Sequence, residues 1–357
     1  MSGGAGSVPD LVMSGAKHFS TRLSSLSVLA LVLGIVSCFA ADSAGRAAGQ
    51  PNLVRHEASA SVMGATFTVA AYGEQRGPLA SAIKAAFDEV RRIDQFLSNY
   101  RAESELSRIN REASSGAVRI SPEMASLLAR CFAYSRQSEG GFDVTVGPLM
   151  ETWGFFKGSG RLPSAWDLAR AREKIGYQHV ALDPDKRTIR FLRDGMELDP
   201  GGIGKGYAVD RMVAVLRQAG VKRAFISAGS SSLYALGAPP DEPRGWFVRI
   251  RDPKNPDEAA EDLYLKNESL STSGFYEKFF EVDGKIYSHI MDPRTGMPAE
   301  GVLTVSVVSE KTFDSEAWST GFFVNGPEWT RRHKRPDFRV FLCPTSAACG
   351  WVGGEGQ

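Results

Sequence analysis

The sequence predicts an α+β domain with a largely antiparallel sheet and packed helices. Strand-like segments come in blocks joined by hairpin signals instead of alternating strictly with helices, which disfavours a parallel βαβ layout. The helical segments carry one apolar face each, as helices packed on a sheet do. With 357 residues, 43% of them hydrophobic and 10% aromatic, the chain can bury a sizeable core.

Residues 1–40 differ in character from the rest. Lys17 and Arg22 precede "LSVLALVLGIVSC", and no charge falls between Leu23 and Ala41, the layout of an export signal. The run is shorter than the roughly 20 apolar residues of a spanning helix, and small residues follow it. Ile35-Val36-Ser37-Cys38 resembles a bacterial lipobox, whose cysteine is lipidated after cleavage. A cut after Ala40 would instead release a soluble protein, and Met13 is an alternative start. Residues 41–55, small and polar, read as a tether, and 56–357 as one domain.

Within that domain, "ASVMGATFTVAAY" alternates like a first strand. Ile83, Phe87, Val90, Ile93 and Leu97 recur at helical spacing from Ser81, and "SNY" ends that helix. A second helix is predicted over Pro122 to Gln137, with Met124, Leu127, Leu128 and Phe132 facing inward. "RTIRFLR" and "MELDPGGIGKGYAVDRMVAVLRQAG" read as strand, glycine-rich turn and helix. "RAFISAGSSSLYALG", "WFVRIRDP", "LSTSGFYEKFFEVDGKIYSHI" and "LTVSVVSE" read as hairpin-linked strands, "VDGK" being a turn signal. "DSEAWSTGFFVNG" reads as helix and "FRVFL" as a last short strand.

Charge and cysteine usage narrow the function. Lys and Arg number 42 against 41 Asp and Glu, so a formal charge of +1 gives no electrostatic case for nucleic acid. A small, locally recognised anion remains open. Four cysteines are too few for a disulfide scaffold. Cys131 falls in an apolar helical pattern, and Cys343 with Cys349 could close a C-terminal bridge in an oxidising compartment.

Several stretches could carry chemistry. "LDPGGIGKGYAVD", Leu198 to Asp210, puts glycines and Lys205 where strand gives way to helix, a sensible diphosphate site or simply a tight turn with a surface lysine. "GGFDVTVGPLMETWGF" sets Phe142 and Trp153 near Asp143, able to offer a flat apolar face and a carboxylate to a ring system, or to be core. In "LSNYRAESELSRIN", Tyr100 ends a helix while Glu103 and Glu105 are expected to face solvent. His289, in "SHIMDPRTG", sits in a turn stiffened by Pro293 and Gly296, a setting for a general base or for a loop histidine bonded to a neighbouring carbonyl. Glu316 and Thr320, four apart on a helix, share a face and with a backbone carbonyl could hold Mg2+, or be a solvated Glu beside a helix-bonding Thr.

In their order along the chain, "MGATFTV", "LSNYRAESELSRIN", "GGFDVTVGPLMETWGF", "LDPGGIGKGYAVD", "TSGFYEKFF", "YSHIMDPRTG" and "EAWSTGFFVNG" resemble the ApbE family of FAD:protein FMN transferases, from about Val62 to Gly326. The resemblance implies an ApbE-like, T-fold-related domain: a Mg2+-dependent enzyme of the bacterial envelope, on its periplasmic side. It would move FMN from FAD to a threonine hydroxyl of a target protein and release AMP. Carried over by motif, Met63, Tyr100, Gly141, Phe142 and Asp143 would line the flavin or adenine portions. Asp199 and Lys205 would bind FAD, Ile290 would touch it through its backbone, and His289 would be the base. The metal shell would draw on the Gly202 peptide oxygen and the Glu316–Thr320 helix with Ser319.

This chain departs from the family in two places. Glu316 stands where the family usually has aspartate, and Asp314, two residues earlier, would point to another side of the helix. "SAGSSS" replaces paired glycines at Gly229 to Ser232, where serines can still hydrogen-bond. The alternatives are an FAD pyrophosphatase giving FMN and AMP, or a non-catalytic FAD-binding lipoprotein. No nucleic-acid partner is expected, and the membrane is reached only through a lipid anchor.

Overall fold

A hairpin opens the domain: β1 (Val54–Val62) pairs antiparallel with β2 (Ala65–Gly73). The structure is a computed structural model and describes residues 53–354, apart from 157 and 334. The signal at 1–40, Cys38 and positions 41–52 of the tether lie outside the described residues. The single first strand expected across "ASVMGATFTVAAY" is thus two strands. The chain reverses at Met63 and Gly64, whose φ values of 53° and 70° make a turn suited to strand twist.

Helix α1 (Arg76–Leu97) starts earlier than Ser81 and buries all of Ile83, Phe87, Val90, Ile93 and Leu97. An unexpected helix, α2 (Glu105–Glu112), follows, its first turn capped by the Ser104 hydroxyl. The Glu105 carboxylate is not solvated as expected, because it accepts the Ser121 N–H at 2.6 Å. Short β3 (Val118–Arg119) leads into α3 (Pro122–Gln137), which has the predicted bounds and inward residues, with Cys131 buried. After α4 (Gly147–Thr152) and α5 (Ala165–Arg172), β4 (Val180–Asp183) and β5 (Thr188–Phe191) join β3 in a small sheet.

Helix α6 (Gly204–Gln218) leads to β6 (Arg223–Ala228) and β7 (Ser232–Leu236). β8 (Trp246–Arg251) and β9 (Ala259–Leu265) form a separate ribbon, followed by β10 (Glu268–Gly274). β11 (Phe279–Val282) and β12 (Lys285–Ser288) reverse at Asp283 and Gly284, as "VDGK" predicted. β13 (Val302–Ser309), α7 (Thr312–Arg332, bent at Gly326), β14 (Arg339–Pro344) and β15 (Gly350–Trp351) complete the chain.

The main sheet has eight strands in the order β1-β2-β6-β7-β10-β13-β14-β15, every neighbouring pair antiparallel. The α+β expectation therefore holds. One apolar cluster joins α1, α3 and α6 to β2 and β6, and a second joins α7 to β13 and β14. On the other side Val248, Ile250, Leu263 and Leu265 of the β8–β9 ribbon cover Leu233, Leu270 and Phe341. Covered on both faces, β7 is buried at every residue. Cys343 and Cys349 are disulfide-bonded near the β14–β15 turn.

Candidate active site

The glycine-rich segment before α6 is a folded turn. Asp199 accepts the Gly201 N–H at 2.7 Å and the Asn99 amide at 3.3 Å, and burial pushes its carboxyl above the usual range. The Pro200 carbonyl takes the N–H groups of Ile203 and Gly204. Ile203 offers α6 no side-chain cap, and the first-turn N–H groups of Gly204 and Gly206 go instead to the Pro200 carbonyl and the Glu316 carboxylate. A Cβ on Gly202 would lie 3.6 Å from the Thr320 hydroxyl and 3.3 Å from Phe142, so this turn faces α7 directly.

Where α6 meets α7 the approach is tighter still. A Cβ on Gly206 would sit 2.5 Å from the Thr312 carbonyl and 2.8 Å from Glu316 Oε2, which only glycine avoids. Into that gap the Gly206 N–H donates to the Glu316 carboxylate, and the Ser232 hydroxyl donates to its other oxygen at 3.4 Å. Burial pushes the Glu316 carboxyl up to about 7, against the opposing pull of the Lys205 charge and the Gly206 N–H. Lys205 itself bonds the Ser231 hydroxyl. Two serines of "SAGSSS" are therefore built into the site. Asp210 fixes the same interface, accepting the Thr312 and Phe313 N–H groups at 2.7 and 3.0 Å at the start of α7.

A seam of serines sets the register of α7 on the sheet. Ser269, Ser271 and Ser273 share one face of β10, at about 6.6 Å per two residues. Ser315 and Ser319 lie about 6 Å apart along α7, so the two rows match. Ser269 and Ser271 bond Ser315 at 3.0 and 2.8 Å, and Ser273 bonds Ser319 at 2.8 Å. The Ser319 hydroxyl is thus engaged by the strand and by the Glu316 carbonyl, which it reaches at 2.9 Å. Asp314 turns away to Arg130, 2.6 Å off, and to Tyr134, as its spacing from Glu316 predicted.

The "SHIMDPRTG" segment is the tight turn expected. The Gly296 N–H meets the Asp292 carbonyl at 2.8 Å with a Gly296 φ of 76°, and Arg294 makes a fork to the Asp292 carboxylate. Arg294 also reaches Asn325 at 2.7 Å, tying the turn to α7. His289 Nδ1 lies 3.0 Å from the Lys278 carbonyl, so it carries the proton and leaves Nε2 as the basic nitrogen. Burial, with the charges of Lys278 and Lys205, lowers the imidazole to about 4, which keeps it neutral at physiological pH. Ile290 is buried, and its carbonyl takes the Ala299 N–H.

The remaining expected flavin-binding residues occupy different environments. Met63, at the β1–β2 tip, approaches Gly204, and Tyr100 is exposed and stacked on Phe156 at 4.8 Å. Phe142 is buried in the core beside Gly202. Asp143 has both oxygens engaged, by Thr145 and by the Tyr177 N–H, and burial raises its carboxyl. Gly141 packs against the Asn325 amide.

Among the described residues no group of three or more His, Cys, Asp or Glu could hold a metal. Of the residues expected to hold a metal, Thr320 places its hydroxyl 3.6 Å from where a Cβ on Gly202 would lie, and Glu316 has its two carboxylate oxygens on the Gly206 N–H and the Ser232 hydroxyl. Among the described residues no cationic side chain is hydrogen-bonded to Glu316, and the Lys205 charge acts on it from a distance. Sequence reasoning missed Ser273, Gly206 and Asp210. The alternation of serines along β10 was the available signal.

The sequence profile of the ApbE family matches residues 63–340. An FAD:protein FMN transferase of Klebsiella pneumoniae is 32% identical over 272 residues, which is 76% of this chain and 82% of that protein. The crystal structure of an ApbE protein from Thermotoga maritima superposes with a TM-score of 0.77 at 28% identity, covering 84% of this chain and 97% of the other. The apo flavinyl transferase ApbE of Pseudomonas stutzeri gives 0.73 at 29%, covering 84% and 95%.

Proposed function

We propose that this chain, which belongs to the ApbE family, transfers FMN from FAD to an acceptor protein, as a phosphoester on a threonine hydroxyl. The acceptor oxygen attacks the phosphorus on the riboflavin side of the diphosphate, the bond from that phosphorus to the bridging oxygen breaks, and AMP leaves with that oxygen. The threonine proton passes to His289 Nε2, which the Lys278 carbonyl holds in the basic tautomer. Lys205 sets a positive charge beside the diphosphate, and the Ser231 hydroxyl fixes its ammonium.

Glu316, Thr320 and the Gly202 carbonyl would hold Mg2+, which when bound supplies neutralisation of the diphosphate charge. Glutamate in place of aspartate fits because its longer arm ends on the Gly206 N–H. The observation that carries this function is that junction: α6 meets α7 where the Gly206 N–H reaches the buried Glu316 carboxylate, and the adjacent serines Ser231 and Ser232 bond Lys205 and Glu316 respectively.

Purified protein incubated with FAD, Mg2+ and a carrier bearing an acceptor threonine should yield a fluorescent carrier band and AMP. Free FMN and AMP without labelled carrier would replace transfer by hydrolysis, and intact bound FAD would overturn catalysis altogether. Glu316→Ala should abolish turnover, and rates indifferent to a Mg2+ titration would remove the metal assignment.

The reaction is placed on the periplasmic side of the envelope, with the chain exported by residues 1–40 and anchored through Cys38. Supporting this are the charge-free apolar run after Arg22 and the Cys343–Cys349 disulfide, a bond of oxidising compartments. Cys38→Ala should move the protein from the membrane to the soluble periplasmic fraction.

A further inference from the structure

We propose that Ser273, at the end of β10, is a positioning residue for the divalent cation, because it orients the Thr320 hydroxyl so that a lone pair of that oxygen faces the metal. The inference rests on the metal assignment made for Glu316, Thr320 and Gly202. Its basis is an accounting of hydroxyl protons. Each serine or threonine hydroxyl has one proton to donate and two lone pairs to accept with. The Ser319 hydroxyl donates to the Glu316 carbonyl at 2.9 Å, which uses its proton. With the Ser319 proton on the Glu316 carbonyl, Ser273, 2.8 Å from the Ser319 oxygen, is the donor in that pair.

With its own proton spent, Ser273 can only accept from Thr320, whose hydroxyl lies 3.3 Å away. The inference assigns the chain one direction: Thr320 to Ser273, Ser273 to Ser319, Ser319 to the Glu316 carbonyl. The competing geometry is donation from the Thr320 hydroxyl to the Glu316 carbonyl at 3.4 Å, an acceptor that Ser319 also uses, and loss of Ser273 separates the two. A threonine hydroxyl that keeps its proton can bind a hard cation only through a lone pair, so the proton must point elsewhere. Ser273 takes it toward β10.

Such partners of metal ligands govern affinity through orientation. Mn2+ titrated into metal-depleted full-length protein, read by electron paramagnetic resonance of the free ion, tests this without any turnover. Ser273→Ala should weaken Mn2+ binding about 10-fold, within the range for lost ligand-orienting partners. Ser273→Thr, which keeps the hydroxyl, should restore most of it. Thr272→Val is the control: it removes a hydroxyl bond of 2.7 Å to Ser306 from the next residue of the same strand. It should leave Mn2+ affinity intact, with a thermal midpoint lowered as much as by Ser273→Ala. An unchanged Mn2+ affinity in Ser273→Ala, or an equal loss in Thr272→Val, would overturn the role of Ser273 alone. Wild-type protein with no saturable Mn2+ binding would overturn the metal assignment and this inference with it.

Discussion

The two walls of the site are built differently. The α6–α7 wall is held by polar bonds between distant segments: Gly206 to Glu316, Lys205 to Ser231, Asp210 to the start of α7, and β10 serines to Ser315 and Ser319. The His289 wall is local. It is a two-stranded hairpin and a turn, backed by Phe280 stacked on Tyr287 at 5.3 Å and by Trp153, whose indole N–H donates to the Gly296 carbonyl. Phe279 and Ile286 of that hairpin stay exposed. Oxygens that meet a divalent ion and a diphosphate need fixed positions, because a small misplacement costs both charge balance and ligand geometry. A base that meets a protein acceptor needs a fixed tautomer, and one carbonyl provides that.

The largest effect should separate the walls chemically. His289→Asn should slow FMN transfer by roughly 100-fold to 10,000-fold, the span of general-base losses, while FAD affinity stays unchanged. Stopped-flow flavin binding and carrier labelling measure both, and undiminished transfer would remove His289 as base. Gly206→Ala tests the other wall. Forcing a Cβ against the Thr312 carbonyl should spread α6 from α7, lowering activity about 100-fold. Urea unfolding should show a loss of about 1–3 kcal/mol. Wild-type stability and activity in that variant would mean that the close approach is not required.

Glu316→Gln sharpens the comparison through pH. The folded carboxyl sits at about 7 against an ordinary 4.5, so the folded chain binds that proton more tightly than the unfolded chain. Its burial costs nothing below 4.5, grows as pH rises, and is complete above about 7. Without metal, the Gln variant should therefore exceed wild type in stability above pH 7, by on the order of 2 kcal/mol. The gain should fade toward pH 4.5 in a series of thermal melts, and a gain constant with pH would disprove the buried charge. His289 acts in the opposite range: lowered to about 4 from 6.5, it opposes folding as pH falls from 6.5 toward 4. The smallest effect belongs to the turn. Arg294→Ala removes a half-exposed fork to Asp292, worth at most about 1 kcal/mol. It should lower transfer only a few-fold in the carrier assay, and a loss as large as that of His289→Asn would show that the turn's anchor to Asn325 matters more than its local bonds.

Local signals read reliably where the deciding interactions are local. Helix α3 was legible to its bounds because Ser121 caps it and its apolar face repeats every turn. The "VDGK" reversal and the positive φ of Gly296 follow from residue type alone. Met63 and Gly64 escaped notice as a turn because methionine seldom takes a positive φ, and the flanking alternation continues through it. Glu105 looked solvated because its partner, the Ser121 N–H, belongs to the next helix. For Phe142 the sequence left core and a ligand face both open, and packing makes it core, while Asp143 is bonded to Thr145 and Tyr177.

By itself the sequence determined the α+β class, the order of motifs that identifies the family, and the residue types available for the chemistry: Lys205, His289, Glu316 and Thr320. Those depend on periodicity, turn preference and side-chain chemistry, all carried by short stretches of chain. Only the tertiary structure decided that Glu316 rests on the Gly206 N–H, that Ser319 faces the strand and that Ser273 stands beside Thr320. Each of those joins residues far apart in the chain, and a hydroxyl or carboxylate takes its role from the partner that packing brings to it.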